Sequence, residues 1–412
     1  MSTNKLICYW LFCIGFVDLF AVSIVFPLVP QHAKELGASP SLIGLFGSIY
    51  GAIQLFSSPI IGHLGDDHGR IKILFLCLMV AAIGYGTSSL CVYSLLLLSL
   101  LRFVAGIFKH TQDLCRNCLA DYSSVGEKTK SVSQFNALSN IGFIIGPSIS
   151  GLVSKWLGLA SAVSLCFLLC GILFILNGAI VWFVIWPLSE QSNTEKGATR
   201  KAKDNEKNLW DKMKGIDWKV HQGLFLSRFL FALAVLLYRS SFILGVKQLY
   251  PDLTSADVGY LVSYNGFLGF VFGIIIGWVS VHQIYAGNEE KLQMHASIMI
   301  PIGFLIISLS PNVIMLLIGL AFLSVGTTSS RACGVVLTTK RSKPDEAGKL
   351  LGFSSSMISV ARSAAPLVAG IAQEFSFSAP ALISLSLSVV ALYVYYHKVF
   401  MQPRPKPHLH SD

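Results

Sequence analysis

Charge is what this sequence has least of. Only 13% of its 412 residues are Asp, Glu, Lys or Arg, while 53% are hydrophobic; soluble domains carry about a quarter charged residues. A water-soluble core has no room for that much apolar surface, which excludes a soluble globular protein and points to an integral membrane one. The nine cysteines are scattered, eight of them in or beside apolar runs and Cys91 alone near an outer loop. No outward-facing pair exists, which excludes a disulfide framework. Cys115 and Cys118 form C-R-N-C without histidines at ligand spacing, and packing thiols explain them better than a metal or redox site. The phosphate-cradling patterns GxGxxG and GxxxxGK[ST] are missing, so coupling to ATP within this chain has no support. Neither a catalytic triad nor a metal-ligand spacing appears, and an enzyme ranks last among the function classes, with no cofactor called for. There is no N-x-S/T sequon.

What is present is a series of long apolar runs. A helix of about 20 apolar residues crosses a bilayer core roughly 30 Å thick. Twelve such runs occur, near 6–28, 41–62, 73–93, 94–116, 131–154, 160–186, 222–246, 257–280, 292–310, 312–335, 349–373 and 378–397. The first lacks a small-residue cleavage site and reads as a signal anchor that stays. The net charge of +10 invites a nucleic-acid partner, but the distribution of the charges argues otherwise. With the N-terminus inside, 22 of the 31 Lys and Arg residues face the cytoplasm, three (Lys34, Lys155 and Lys247) face out and six lie inside spans. That asymmetry is the positive-inside rule. The basic balance sets topology: a multi-pass protein of the plasma membrane or an endomembrane, both termini cytoplasmic, with the lipid bilayer rather than nucleic acid as its partner.

Residues 187–221 break the apolar pattern with a polar stretch of mixed charge, as a cytoplasmic linker does. The expected layout is a six-helix bundle over 1–186, the linker over 187–221, a second bundle over 222–397 and a cytoplasmic tail over 398–412. The halves echo each other. SPSLIGLFGSIYGAI from Ser39 aligns with TSADVGYLVSYNGFL from Thr254, matching Gly44 to Gly259, Ser48 to Ser263 and Gly51 to Gly266; FIIGPSISG ending at Gly151 aligns with SAAPLVAG ending at Gly370, matching Pro147 to Pro366. Two related all-α bundles joined in this way are the repeat architecture of a large transporter class, which binds its solute between the halves.

Four motifs carry a family likeness. GHLGDDHGRIK after the second run has Gly62, Leu64, Gly65, Asp66, Gly69 and Arg70 in the pattern G-x-L-G/A-D-R/K-x-G-R/K, with Asp67 where a basic residue is usual. LLRFVAG in the fourth run gives R-x-x-x-G from Arg102 and Gly106. GFIIGPSISG in the fifth, with Gly142, Gly146, Pro147 and Gly151, is similar to a signature of proton-coupled antiporters, Ser150 replacing one glycine. DLFAVSIVFPLVP, Asp18 to Pro30, resembles the buried aspartate and P-x-x-P end of tetracycline-type efflux proteins. Over essentially its whole length the chain resembles the major facilitator superfamily, in its drug/proton antiporter-like branch. The resemblance implies twelve helices in two pseudo-symmetric bundles, with helices 1, 4, 7 and 10 lining a central cavity. It also implies a conformational lock in which Asp66 bonds to the start of helix 11, and Asp67 puts the arginine-based part of that lock in doubt. The equivalent loop of the second half, GWVSVHQIYAG from Gly277, keeps only the glycine.

Charged side chains inside the spans are the candidate site, because each costs about 3 kcal/mol at the midplane unless it faces protein or water. On a continuous helix, Arg102, Gly106, Lys109, Asp113 and Arg116 fall within one arc of about 80°, with His110 apart. Arg102 then lies roughly 12 Å below the outer surface and Asp18 roughly 18 Å above the inner end of the first span. These depths match in a 30 Å core and predict an Asp18–Arg102 ion pair, opened during transport or static. Arg116 and Asp113 reach the interface. The second half adds Arg239, Arg331 and Arg362; Arg228 reads as a snorkelling side chain. Gln54, Asn136, Tyr238 and Asn265 are solute contacts or interhelical hydrogen bonds. Gly269, Gly273 and Gly277, with Gly142 and Gly146, read as small-residue faces for close packing. Cations outnumber acids, and guanidinium groups bind carboxylates and phosphates in bidentate fashion.

The sequence therefore predicts a secondary active transporter of a small anionic or zwitterionic organic solute, working by alternating access with or against protons; the helix 5 resemblance favours export by antiport and leaves uptake by symport open. Its substrate and coupling residues are Asp18, Arg102, Lys109, Arg239 and Arg331. The competing reading is a membrane receptor or scaffold that keeps the fold without transport.

Overall fold

The computed structural model describes residues 3–123, 127–195, 218–281, 288–342 and 346–401. Among them every regular element is helical. In chain order these are α1 (Thr3–Val25), α2 (Leu28–Glu35), α3 (Pro40–His68), α4 (Arg70–Ser88), α5 (Leu95–Phe108), α6 (Thr111–Tyr122), α7 (Lys128–Leu157) and α8 (Leu159–Ile180). A π turn at Val181–Ile185 continues α8 into α9 (Trp186–Glu195). Then come α10 (Trp218–Leu249), α11 (Ser255–Val281), α12 (Glu289–Ser308), α13 (Val313–Lys340), α14 (Ala347–Phe375) and α15 (Ala379–Tyr395), which ends in a π turn at Tyr396–Phe400.

Among the described residues, twelve helical stretches are long and apolar enough to span a membrane, one for each apolar run. Several overshoot: α3 has 29 residues, about 43 Å of helix for a core of about 30 Å. The chain is an all-α, multi-pass integral membrane protein. Of the expected linker, 187–195 extend α9 and 218–221 open α10, while 196–217 lie outside the described residues, as do 402–412 of the expected tail.

By packing, the chain divides into two compact units, Met1–Arg200 with Val246–Phe267, and Lys201–Gly245 with Leu268–Asp412. This division differs from the sequence-based bundles by placing the end of α10 and the first half of α11 in the first unit. The reason is close backbone approach. A Cβ on Gly259 would overlap the Pro147 carbonyl, and one on Gly151 would stand 2.8 Å from Ala256 Cα. Ser148 Oγ donates to Ser263 Oγ at 2.8 Å, and Ser255 Oγ donates to Gln31 Oε1 at 2.8 Å.

In the first unit α1 packs on α6, α7 and α8. Gly142 and Gly146 make the α1–α7 approach possible. A side chain at Gly142 would come within 2.6 Å of the Phe16 carbonyl, and one at Gly146 would collide with Ser23 Oγ. Ser23 Oγ sits in the resulting groove and donates to the Phe20 and Gly142 carbonyls at 2.8 and 3.2 Å. The expected close packing along α11 is corrected. A Cβ at Gly269 or Gly273 would meet only Thr328, at 3.9 and 3.6 Å, and one at Gly277 would meet nothing within 4 Å.

In the second unit Arg228 is not a snorkelling side chain. Its Nη1 donates to the Gly334 carbonyl and to Thr338 Oγ1, both at 2.9 Å, and its guanidinium fills the space that a side chain at Gly334 would need. Arg228 thus ties α10 to α13. Hydrogen bonds from a charged donor are worth about 1.5–3 kcal/mol, so Arg228→Ala is expected to lower stability by about that amount. Thermal unfolding in detergent measures it, and an unchanged midpoint would show that the clamp carries no weight.

Candidate functional site

The fourth span is not one helix. It breaks between α5 and α6, where Lys109 has ψ 63° and His110 has φ −118°. The break turns α6 relative to α5, so the arc computed for a continuous helix does not hold across it. Its consequence is the main charge contact of the first unit: Lys109 Nζ, freed at the end of α5, forms an ion pair with Asp18 of α1. Asp18 is 0% exposed and the Lys109 side chain 8%. Gln112 Nε2 donates to the other carboxylate oxygen of Asp18 and to the Gly15 carbonyl, both at 3.0 Å. The Lys109 ammonium lies 4.9 Å from the Phe174 ring centroid.

The predicted Asp18–Arg102 pair is therefore corrected. Depth was counted along an unbroken fourth span, whereas the break after Phe108 lets Lys109, two turns beyond Arg102, reach Asp18. Arg102 instead lies 5.6 Å from the Tyr50 ring centroid on α3, with its Nε buried and unpartnered. Gly106, one turn on, leaves room for the same ring: a Cβ there would sit 2.9 Å from Tyr50 Cε2. The R-x-x-x-G motif is thus a seat for Tyr50. Gln54 Nε2 reaches Tyr50 Oη at 3.3 Å and the Lys109 carbonyl at 3.4 Å, linking the arginine to the ion pair.

His110, set apart in the sequence reading, is buried and shares a 2.7 Å hydrogen bond with Ser57 Oγ. Its Nδ1 lies 3.8 Å from Asp113, whose carboxylate accepts from Arg116 Nη2 at 2.5 Å. Arg116 Nη1 in turn donates to Asn136 Oδ1 at 3.0 Å. Asn136 is thus an interhelical partner of Arg116.

The motif after the second span is barely a loop. Gly69, with φ +97°, is the single residue between α3 and α4, and its N–H bonds the Gly65 carbonyl at 3.1 Å. Only a glycine adopts that backbone without strain. Arg70 Nε and Nη2 donate to Asp66 Oδ1 at 2.9 and 2.8 Å, and Nη1 donates to Asp121 Oδ2 at 2.9 Å. Asp67 faces His63 at 3.3 Å on the surface. Gly62 has open space where a Cβ would stand.

In the second unit Arg239, Arg331 and Arg362 come from α10, α13 and α14 and keep accessible surface. Tyr238 differs: its ring is buried between Phe242 and Phe304, at centroid distances of 5.7 and 5.5 Å, which makes it part of the core. Asn265 is half-buried on α11, in the first unit.

Residues 11–311 match the family model of the Major Facilitator Superfamily. The chain belongs to that superfamily. Solute carrier family 22 member 18 of Mus musculus is 22% identical over 411 residues, 95% of each chain. Tetracycline resistance protein class H of Pasteurella multocida is 28% identical over 140 residues, 33% of this chain; the match spans 35% of that relative's length. Among solved structures, the nucleoside transporter NupG matches with a TM-score of 0.76 at 13% identity, covering 96% of this chain and 100% of that one. The human organic anion transporter MFSD10 (TETRAN) matches with a TM-score of 0.61 at 19% identity, covering 96% and 100%. These two likenesses speak for the fold.

As a major facilitator protein the chain is a membrane transporter, not an enzyme. Two partners in its charge network escaped the sequence reading. Gln112 lies three residues beyond Lys109 and joins it on Asp18; an uncharged side chain in an apolar run gave no charge signal. Asp121 lies beyond the apolar run that ended near residue 116, so its place opposite Arg70 had no signal in hydropathy.

Proposed function

We propose that this major facilitator protein carries a small anionic or zwitterionic organic solute across its membrane by alternating access, in exchange for protons, with both termini cytoplasmic. The observation that carries this reading is the imbalance of interior charge. Asp18 is taken up by Lys109, which leaves Arg102, Arg239, Arg331 and Arg362 without a carboxylate bonded to them among the described residues. Uncompensated guanidinium groups inside a membrane protein favour solutes that bring negative charge. The human organic anion transporter among the structural relatives supports the same class. Proton exchange is assigned to the Asp18–Lys109 pair, because a proton taken up by Asp18 releases Lys109 from it. The helix 5 signature Gly142, Gly146, Pro147 and Gly151 favours antiport, and the Asp66–Arg70 group is read as part of the conformational lock. The excess of Lys and Arg in alternate loops supports the orientation.

The test is counterflow in proteoliposomes loaded with a library of organic anions, with and without a pH gradient. We expect at least one anion to exchange and Arg102→Ala to abolish that exchange. A folded protein that moves no anion would leave a receptor or scaffold as the better reading.

A further inference from the structure

The joint that frees Lys109 also directs the next side chain, and the two go to different helices. Lys109 reaches Asp18 of α1, whereas the buried His110 ring reaches α3, where its Nε2 and Ser57 Oγ are 2.7 Å apart. The other ring nitrogen, Nδ1, lies 3.8 Å from Asp113 Oδ2. That is within ion-pair range but too long for a hydrogen bond. A hydrogen on Nδ1 would draw the carboxylate in, so the neutral ring carries its hydrogen on Nε2 and donates it to Ser57. The Asp113 side chain is 55% exposed, and an ionised carboxylate turns such a surface to water rather than to lipid. Protons therefore have a way to Nδ1.

The groups around the ring leave room for that proton. On α6, Asp113 Oδ1 is held by Arg116 while Oδ2 is turned to His110, so one carboxylate can serve both cations. The free N–H groups at the start of α6 disfavour a cation at His110, its N-cap, and Asp113 in the first turn offsets them. Lys109 is matched by Asp18 of α1, and Arg102 stands two turns back along α5. On α3, Tyr50 lies two turns to one side of Ser57, beneath Arg102, and His63 lies to the other, paired with Asp67. On α4, Arg70 is bonded to Asp66 and Asp121 and Lys72 lies over the Trp186 ring, both in the first turn, while the Cys77 thiol is buried. On α7 the group that meets Arg116 is the neutral Asn136.

We propose that His110 is a proton-binding switch at the joint of the fourth span. The proton adds to the Nδ1 lone pair, Nε2–H stays on Ser57 Oγ, and the new Nδ1–H closes on Asp113 Oδ2 as a charge-assisted hydrogen bond. No other bond has to break, because Arg116 keeps the second carboxylate oxygen. The protonated ring then fastens the joint to the first turn of α6, while Ser57 holds it to α3. This sense is opposite to that of the Asp18–Lys109 pair, where the exchange proposed above has a proton loosen the hold of α1. Acid thus shifts the grip on one joint from α1 to α6.

Heteronuclear NMR of the full-length protein in detergent, isotope-labelled at its histidines, tests this without any solute. The His110 signals are those that His110→Gln removes; Ser57→Ala, which alters the ring bonded to it, gives the same assignment should the first variant fail to fold. We expect a hydrogen on Nε2 alone at about pH 8 and on both ring nitrogens at about pH 5, the interval in which histidines change charge. Asp113→Asn should move the midpoint of that titration down by about one pH unit or more, because an opposite charge at this range favours the charged form. A ring that keeps one charge state across the interval, a neutral ring with its hydrogen on Nδ1, or a midpoint unmoved by Asp113→Asn would each overturn the switch. The readout does not depend on flux. A protein that exchanges no anion in proteoliposomes would sink the transport reading and leave the His110 site to be decided by its own titration.

Discussion

Asp18→Asn is expected to destabilise the folded protein by about 3–5 kcal/mol, the cost of leaving one member of a buried ion pair without its partner. The stranded group is Lys109, only 8% exposed and left with the Phe174 ring and its own backbone neighbours. Asp18→Leu combined with Lys109→Met removes both charges and is expected to recover most of the loss, because a well-packed apolar pair often replaces a buried salt bridge without penalty. Thermal or denaturant unfolding of both variants in detergent measures this; a single substitution as stable as the parent would mean that water reaches the pair. The double variant also isolates the proposed coupling. It should bind the solute and lose acceleration by a pH gradient, and gradient-driven exchange at the parental rate would remove the pair from proton coupling.

The second large effect is steric. Gly146→Leu should prevent α1 and α7 from closing, because even the first carbon of the new side chain would collide with Ser23 Oγ and come within 2.9 Å of the Ile24 amide. Overpacking of a tight core costs about 1–3 kcal/mol and at times more. Here the displaced atoms include backbone, which cannot swing aside. We expect low yield of folded protein and a broadened gel-filtration peak. Gly62→Ala is the control: it lies in the other glycine motif but adds its Cβ to open space, and it should behave as the parent. If both substitutions were equally tolerated, the helix 5 glycines would not be setting the α1–α7 distance.

Hydropathy was enough to read the twelve spans, since a bilayer leaves a chain few options other than apolar helices. Residue counting was not enough to pair charges in depth. Helix ends do not mark the edge of the hydrocarbon, as the 29 residues of α3 show, so a depth counted from them does not by itself select Lys109 over Arg102. The helix break at Lys109 and His110 was invisible for a different reason: neither a proline nor a glycine marks it, and the 3.6-residue period runs through it unchanged. Arg228 was misjudged because its partners are a backbone carbonyl and a threonine on a distant helix, which no local pattern announces. The glycine motifs divide along similar lines. On α7 the spacing and the close approach agree, whereas on α11 the same spacing meets almost nothing, so small-x-x-x-small alone does not say whether a neighbour is there.

The break in the fourth span also gives the first unit a seam. Above it, α5 packs against α3 and α4; below it, α6 packs against α1, α4 and α7. The two segments share α4 and the short joint at Lys109 and His110, but otherwise pack on different helices, α5 on α3 and α6 on α1 and α7. The Asp18–Lys109 bond crosses that seam from the α1 side to the last residue of the α5 side. Formed, it ties α1 to the end of α5; released, it leaves the two segments held by α4 and by the joint. In the proposed exchange, a proton on Asp18 loosens one tie between α1 and α5, and the joint at Lys109 and His110 is where that loosening is felt.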